Sequence, residues 1–463
     1  MIRKRKFKSV IQKLRRIVGP QNVLTAAEEL YCYSRDSSSF SAMPDIVVRP
    51  HDVRQVARIV KLANRSLIPI TPRGAGTNLT GAAIPLRGGI VVDLSGMNRI
   101  LEIDRTNLRT IVEPGVVHAD LERELAKYRL FWPPDPASTD ACTIGGVLAE
   151  SGGGMRALKY GTARDWVLGL EVVLPNGKLI RTGSQTLKCA SGFDLTRLFT
   201  RSEGMLGIIV KAVLKLRPLP ESLIRITGTY DELESAGSTV GKIFEAGIVP
   251  TIMEILDKPT IEAVNKFLKL KLPEANALII LDIDGTEEEC EKLAKKVEAV
   301  MVEMGAKNVR RAATVKEMED LYSARKAAFP ALCQLKPTIL IEDITVPVSE
   351  ISSMLKRIQE LSRKYGVLIA TLGHVGDGNL HPNICTDDSN PEEWRRAMKC
   401  FREICESAIE LGGTISGEHG IGIAKAALLE EEYGREAVKV MRDIKRVLDP
   451  NNIMNPGKMG LGA

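Results

Sequence analysis

Aromatic residues make up only 4% of this 463-residue chain, and its histidines number five. So few rings argue against a base-stacking platform for nucleic acid. Basic residues (64) are interspersed with acidic ones (58), and the formal charge of +6 is modest for the length. No basic stripe results, so no nucleic-acid partner is expected. The eight cysteines, at 32, 142, 189, 290, 333, 385, 400 and 405, form no CxxC or other metal-type spacing. That points to free thiols in a reducing compartment. An iron–sulfur motif is also missing, so any relay through such a cluster belongs on another chain. No apolar run is long enough to span a bilayer. The N-terminus, MIRKRKFKSVIQKLRRIVG, is basic and weakly amphipathic but lacks the apolar core and cleavage region of a secretory signal. It reads as a first surface helix. The composition favours a soluble cytoplasmic protein, with a peripheral place at the membrane as the variant reading.

With 44% hydrophobic residues the chain can bury a sizeable core, and its length suits two large domains or three average ones. The first half alternates strand and helix patterns. DIVVRP (45–50), IPIT, GIVVDL and RTIVEPG read as strands. DVRQVARIVKLANRS and VHADLERELAKYRL read as helices. LGLEVVLPNGKLIRT (168–182) reads as a hairpin about Asn176-Gly177. RPLPES (217–222) marks a boundary. Beyond it ALIILDID and ILIEDITVP (339–347) are expected strands, and Thr286 with Glu289 forms a capping box opening a helix to about Met304. A further helix ends near Tyr365-Gly366, and a long one runs from about Pro391 to Leu411. The pattern implies an α+β layer with an antiparallel sheet.

Three segments are rich in glycine. TPRGAGTNLTG (71–81) follows a strand, but Gly74, Gly76 and Gly81 miss the G-x-G-x-x-G spacing, and the P-loop lysine is absent. Such a loop can still turn several amides toward an anion. The second runs from Pro133 to Gly177 and carries Gly145-Gly146, Gly152-Gly153-Gly154 and Gly161, with hydroxyls on Ser138, Thr139, Thr143 and Thr162. The third, RSEGMLGIIVKAVLKL (201–216), carries Gly204 and Gly207. Together they can line one elongated anionic cofactor.

Two of the five histidines fall in LGHVGDGNLHPNI (372–384). Asp377-Gly378 is a favoured two-residue type I′ turn. Folding about it opposes Gly376 with Asn379, Val375 with Leu380, and His374 with His381, so both imidazoles share a face. They can share a metal ion, or serve as ordinary strand histidines.

The ordered set TPRGAGTNLTG, PPDP, IGG, KYG, DLTRLF, SEGMLG, GHVGDGNLH, SGEHGIG and DPNNIMNPGK resembles the vanillyl-alcohol-oxidase-like flavoproteins. The match, from about residue 10 to 459, is to the branch of D-lactate dehydrogenase, the glycolate oxidase D subunit and D-2-hydroxyglutarate dehydrogenase. The resemblance implies a two-lobed FAD-binding domain (1–220), a ferredoxin-like antiparallel-sheet cap (221–411) and a C-terminal segment (412–463) returning to the flavin domain. The implied cofactor positions in the first segment are Arg73, Gly74, Ala75, Gly76, Thr77, Asn78 and Gly81. Pro134, Ser138, Gly145, Gly146, Ser151, Gly152, Gly161 and Thr162 follow, then Gly204, Ile209 and Asn455. Some relatives tether FAD through a histidine in the first loop. Thr77 and Asn78 stand here instead, so noncovalent FAD is expected. His118 is expected to be a helix-start surface residue, and His51 likewise opens a helix. The chain departs from the family at Ser151-Gly152-Gly153-Gly154, where many relatives read Asn-Ala-Gly-Gly, and at Arg201, where a glycine is usual.

SGEHGIG supplies Glu418 and His419. The implied metal ligands are His374, His381 and Glu418, a two-histidine, one-carboxylate set suited to zinc or manganese. The alternative is a hydrogen-bonded cluster without metal. His419 is the candidate base for the C2 hydroxyl proton. Arg325, in LYSARKAAFP, matches a family arginine that receives the substrate carboxylate, while Lys326 reads as solvated. Asn379 is a supporting residue. Ile341-Glu342 precede Asp343 where the 2-hydroxyglutarate enzymes carry a lysine, which favours a smaller acid. The expected activity is oxidation of D-lactate or glycolate by an FAD-dependent D-2-hydroxyacid dehydrogenase. Its electrons would pass to a quinone, an electron-transfer flavoprotein, an iron–sulfur subunit or oxygen. A homodimer is an admissible assembly. The rivals are a metal-dependent hydrolase on the same site and a non-catalytic FAD-binding subunit of a larger oxidase.

Overall fold

The computed structural model describes residues 2–462, with side chains from residue 8 onward. The chain divides into two compact units. One comprises Met1–Gly153, Gly161–Leu219 and Glu418–Ala463; the other comprises Gly154–Tyr160 and Pro220–Gly417.

The first unit holds two main sheets. In the first, Val23–Leu24, Ile46–Val48, Ile90–Asp93 and Ile70–Arg73 lie in that order. The last three are parallel neighbours. Ile46, Val47 and Val48 are fully buried, as are Ile90, Val91 and Val92, which is why these strands read as unbroken apolar runs. The helix Val53–Ser66 starts at Asp52, whose carboxylate accepts from the Gln55 amide. Its buried residues Val56, Ile59, Val60 and Ala63 keep helical spacing and join the core of this sheet. The basic N-terminal segment is a helix, Ile2–Val18, with Val10, Leu14 and Val18 buried against the same core. The second sheet orders Ile100–Asp104, Arg109–Val112, Ile208–Lys215, Val167–Val173 and Leu179–Gly183, all antiparallel. Its last pair is the expected hairpin, with Gly177 at φ +78° in the connection. The C-terminal segment returns to the first sheet. The Ile70 amide donates to Ile453 O at 2.7 Å, and the Asn455 amide to Ile70 O at 2.7 Å.

The second unit is built on one antiparallel sheet. Its order is Lys307–Arg311, Ser222–Tyr230, Ala277–Gly285, Ile252–Asp257, Leu368–His374, Asn379–Thr386 and Thr338–Ile341. Thr286 and Glu289 close a reciprocal capping box on the helix Glu287–Glu303, as the sequence predicts. The expected strand 339–347 differs. It breaks into Thr338–Ile341 and Ile344–Thr345, and both pieces pair with Asn379–Thr386. Glu342 and Asp343 occupy the break and are buried. On one sheet face Leu256, Leu278, Ala370 and Leu372 form a core with Ile261, Leu321 and Ala324.

The helix Val53–Ser66 ends on Leu67, a left-handed residue (φ +50°) whose side chain is largely exposed. An L side chain there costs roughly 1–2 kcal/mol, which glycine avoids at an entropic cost of roughly 0.5–1. Leu67→Gly is therefore expected to stabilise the protein by about 0.5–1 kcal/mol, read as a rise in denaturant midpoint.

Candidate functional site

In the first unit the loop after Ile70–Arg73 opens on a buried cation. Burial lowers the Arg73 pKa, opposed by Asp36, Asp93 and Tyr33, and a guanidinium stays charged regardless. Its carbon lies 5.7 Å from the Tyr33 ring centroid, and Tyr33 Oη donates to Asp93 Oδ2 at 2.7 Å. Arg73 Nη1 is buried and meets no protein acceptor. Among the described residues no protein acceptor meets the amides of Gly74, Ala75, Gly76 or Thr77 either. A buried cation beside a run of uncommitted amides is what an anionic phosphate bridge requires. These residues fit the implied FAD.

Other implied positions serve the fold first. Asn78 Oδ1 accepts from the amides of Thr80 at 2.9 Å and Ala82 at 2.8 Å, closing the turn that ends at Gly81. A Cβ on Gly74 would lie 2.1 Å from Thr143 Oγ1, on Gly145 2.6 Å from Pro114 Cβ, and on Gly204 2.4 Å from Pro72 Cγ. These three glycines are demanded by the protein's own packing. Gly146 lies in the helix Ile144–Glu150. Ser151 follows that helix in left-handed geometry (φ +58°), and its hydroxyl lies 3.2 Å from Thr162 Oγ1, just after Gly161. The Gly152 amide donates to Val147 O. Ser138 O accepts from Ala141 and Cys142 amides at 2.8 Å each. Ile209 is buried in its strand. Asn455 Nδ2 donates to Ala82 O at 2.8 Å and Glu203 O at 2.7 Å, joining the first and third glycine-rich segments. Arg201 adopts φ +72°, a left-handed conformation that glycine takes more readily. His118 corrects its expectation: it begins the helix His118–Ala126 but is 1% exposed. Its Nε2 lies 2.7 Å from Pro134 O and its ring 5.5 Å from that of Trp132, so it braces the PPDP turn. His51 is exposed.

Glu418 and His419 also belong to the first unit. His419 Nε2 lies 3.6 Å from Glu418 Oε1, and both side chains keep some exposure.

In the second unit the histidine hairpin has a different register. His374 opposes Asn379, Gly373 opposes Leu380, and Leu372 opposes His381. The connection holds four residues, a tight turn over Val375–Asp377 followed by Gly378 at φ +79°. The Gly378 amide donates to Val375 O and the Asn379 amide to Asp377 Oδ1. This type-I-like turn with a left-handed glycine replaces the two-residue turn. The shift is two residues, so side-chain parity survives. The two imidazoles remain on one face, with centroids 5.1 Å apart and planes at 88°.

That face carries a further carboxylate, one outside the expected ligand set. Leu256 opposes Leu372 and Ile255 opposes Gly373, so the next pair sets Glu254 beside His374. Glu254, 1% exposed, places Oε1 2.6 Å from His374 Nδ1, and its Oε2 accepts from Arg325 Nε. Arg325, on the helix Val315–Lys326, is itself buried. His381 Nδ1 lies 3.2 Å from Glu342 O and 3.8 Å from Asp343 Oδ1. Asp343 in turn accepts from Asn379 Nδ2 at 2.9 Å and Ser416 Oγ at 2.8 Å, and its carbonyl from the Gly417 amide at 2.9 Å. Each histidine thus has one ring nitrogen engaged by a carboxylate or carbonyl. Imidazoles that hold a metal through the other nitrogen show this arrangement, and the pair fits the implied ion. Lys326 lies over the Tyr322 ring at 5.3 Å.

Residues 44–183 match the family model for an FAD binding domain, and residues 219–459 that for the C-terminal domain of FAD linked oxidases. The protein belongs to the FAD-linked oxidases. It is 44% identical over 454 residues to the glycolate oxidase subunit GlcD of Bacillus subtilis (strain 168), covering 98% of this chain and 97% of that one. It is 35% identical over 463 residues to a D-lactate dehydrogenase of Anaerostipes hadrus, covering 97% of each. Among solved structures, p-cresol methylhydroxylase with substrate bound superposes with a TM-score of 0.85 over 99% of this chain and 97% of that one, at 22% identity. The fold is that of the vanillyl-alcohol-oxidase type, and the protein is an FAD-dependent oxidoreductase. No helix among the described residues is long and apolar enough to cross a membrane.

Removing one partner of a buried ion pair costs about 3–5 kcal/mol, because the other charge is stranded. Glu254→Ala is expected to lower the stability of the second unit by that amount in denaturant unfolding, and Glu254→Gln by clearly less.

Proposed function

We propose that the protein oxidises a small 2-hydroxy acid, glycolate or D-lactate, to the 2-oxo acid and passes the electrons to a partner subunit or a quinone. The observation that carries this reading is the one sheet face where Glu254 holds both Arg325 and His374, with His381 alongside. A buried guanidinium, fixed on one edge by a carboxylate, offers its remaining N–H groups to a second carboxylate, that of the substrate. His374, His381 and Glu418 are the proposed ligands of a divalent metal, zinc or manganese. Glu418 follows directly on Gly417, whose amide is bonded to Asp343. The metal, when bound, would polarise the C2 hydroxyl. His419, next in the chain, is the proposed base that removes the hydroxyl proton. FAD, when bound, supplies the acceptor for the C2 hydride. Arg73 and the amides of 74–77 are its proposed phosphate contacts.

Relatives named glycolate oxidase subunit and D-lactate dehydrogenase support the substrate class. The Ile341-Glu342 pair before Asp343 provides no lysine for a second carboxylate, which favours the smaller acids. The word subunit in the first relative's name supports an electron-accepting partner on another chain. Membership of the FAD-linked oxidases speaks against the hydrolase reading.

Anaerobic mixing of the yellow protein with D- and L-2-hydroxy acids tests the proposal. Glycolate or D-lactate is expected to bleach the oxidised flavin band and L-lactate to leave it. His419→Ala should keep the band and slow bleaching by about 10²–10⁴-fold, the usual contribution of a general base. Bleaching of that variant at the parental rate would remove His419 from the role.

A further inference from the structure

The loop that carries His419 is held by a residue with no role so far. Glu203, from the Ser-Glu-Gly of the third glycine-rich segment, is 3% exposed and sits at φ +47°, a left-handed geometry uncommon for its type. Its own backbone is pinned: its amide donates to Ala149 O at 3.0 Å, and its carbonyl accepts from Asn455 Nδ2 at 2.7 Å. Its carboxylate accepts from two successive amides beyond His419, Ile421 at 2.7 Å on Oε1 and Gly422 at 2.9 Å on Oε2. Successive amides aimed at one carboxylate form an anion-binding concavity; burial raises the Glu203 pKa, and these two amides act against that rise.

The other side of the same stretch is held as well. His419 O accepts from Asn78 Nδ2 at 3.1 Å and from Thr80 Oγ1 at 3.2 Å. The Ile423 amide donates to Thr80 O at 2.8 Å. Gly420 (φ +82°) has no room for a side chain, since a Cβ would lie 2.2 Å from Glu150 Oε2 and 2.8 Å from Glu203 Oε1. Gly422 (φ +51°) presses on Thr80 O in the same way, at 2.2 Å. The peptide planes that follow His419 are therefore held from both sides.

We infer that Glu203 is the positioning residue of His419: its carboxylate clamps the amides of Ile421 and Gly422 and so sets the direction from which the imidazole reaches the substrate. This rests on the assignment of His419 as base. Because Asn78 and Glu203 belong to two of the three glycine-rich segments, the loop bearing His419 and the cofactor cradle are parts of one hydrogen-bonded frame.

The test combines amide exchange with turnover on the flavin-loaded full chain. In Glu203→Gln one acceptor oxygen is lost. The expected result is parental flavin content, exchange at Ile421 and Gly422 faster by at least tenfold, and kcat lower by about tenfold with KM within threefold. Glu203→Asp, which keeps both carboxyl oxygens on a shorter arm, should fall between Gln and the parent in both exchange and kcat. Unchanged exchange in Glu203→Gln overturns the clamp. Faster exchange with parental kcat overturns the positioning role, and so does loss of flavin together with turnover in both variants. A parental protein bleached by no 2-hydroxy acid would instead defeat the assigned reaction, while the exchange comparison would still decide whether Glu203 holds the loop.

Discussion

A carboxylate with almost no contact with water organises the polar cluster of the second unit. Burying Glu254 alone would carry a large desolvation cost, so the charge persists only with compensating partners. It has two: the guanidinium of Arg325 and the ring of His374. Sharing one acid ties a helix to a strand pairing, and it restricts both partners to a single direction each. A second pair lies on the same sheet, where Arg225 donates to both oxygens of Asp282 at 2.6 and 2.5 Å. Along this face the strands pass from the aliphatic layer of Leu256, Leu278 and Leu372 to Glu254 and His374 within two residues. The apolar layer gives the polar cluster a rigid floor, and the short step between them keeps the acid in low-dielectric surroundings where its bonds are strong.

What is legible in the sequence follows the physics of local signals. The apolar triplets Ile46–Val48 and Ile90–Val92, the Thr286–Glu289 box and the Asn176-Gly177 turn are all encoded within a few residues, and all appear. The histidine hairpin shows where local rules stop. Its turn residues admit two loop lengths, and the longer one forms because Val375–Asp377 closes a tight turn before the left-handed Gly378. The common face of His374 and His381 still follows from the sequence, because parity is indifferent to a shift of two. ILIEDITVP has a strand composition throughout, yet its acidic centre leaves the ladder to reach Cys405 with Glu342 and Asn379 with Asp343. Glu254 carries no local signal at all. Within IMEILD it is an ordinary acid in an apolar strand, and only the pairing of residues more than a hundred positions apart puts it against His374.

The glycine-rich segments carry a related lesson. Their composition points to close approach by a ligand, and the loop at 74–77 keeps amides uncommitted as that reading needs. Gly74, Gly145 and Gly204 are instead small because Thr143, Pro114 and Pro72 stand where a side chain would be. Dense glycine near a cofactor thus mixes two causes, and only coordinates separate them. His118 belongs with these cases. Its place at a helix start resembles a surface position, but the chain beyond it turns back and buries the ring beneath Pro134.

The first unit is also written discontinuously, and this bears on how the protein is made. The edge of the strand at Ile70 finds its partner at Ile453–Asn455, nearly 400 residues later. At ribosomal speeds of about 5–20 residues per second, that edge waits roughly 20–80 s for its last neighbour. During that interval the nascent chain displays an unfinished β-ladder, the kind of template on which other polypeptides assemble wrongly. Successful biogenesis in the cell should accordingly depend on holdase chaperones, and slowed or truncated translation should aggregate this protein sooner than one whose lobes close in order of synthesis.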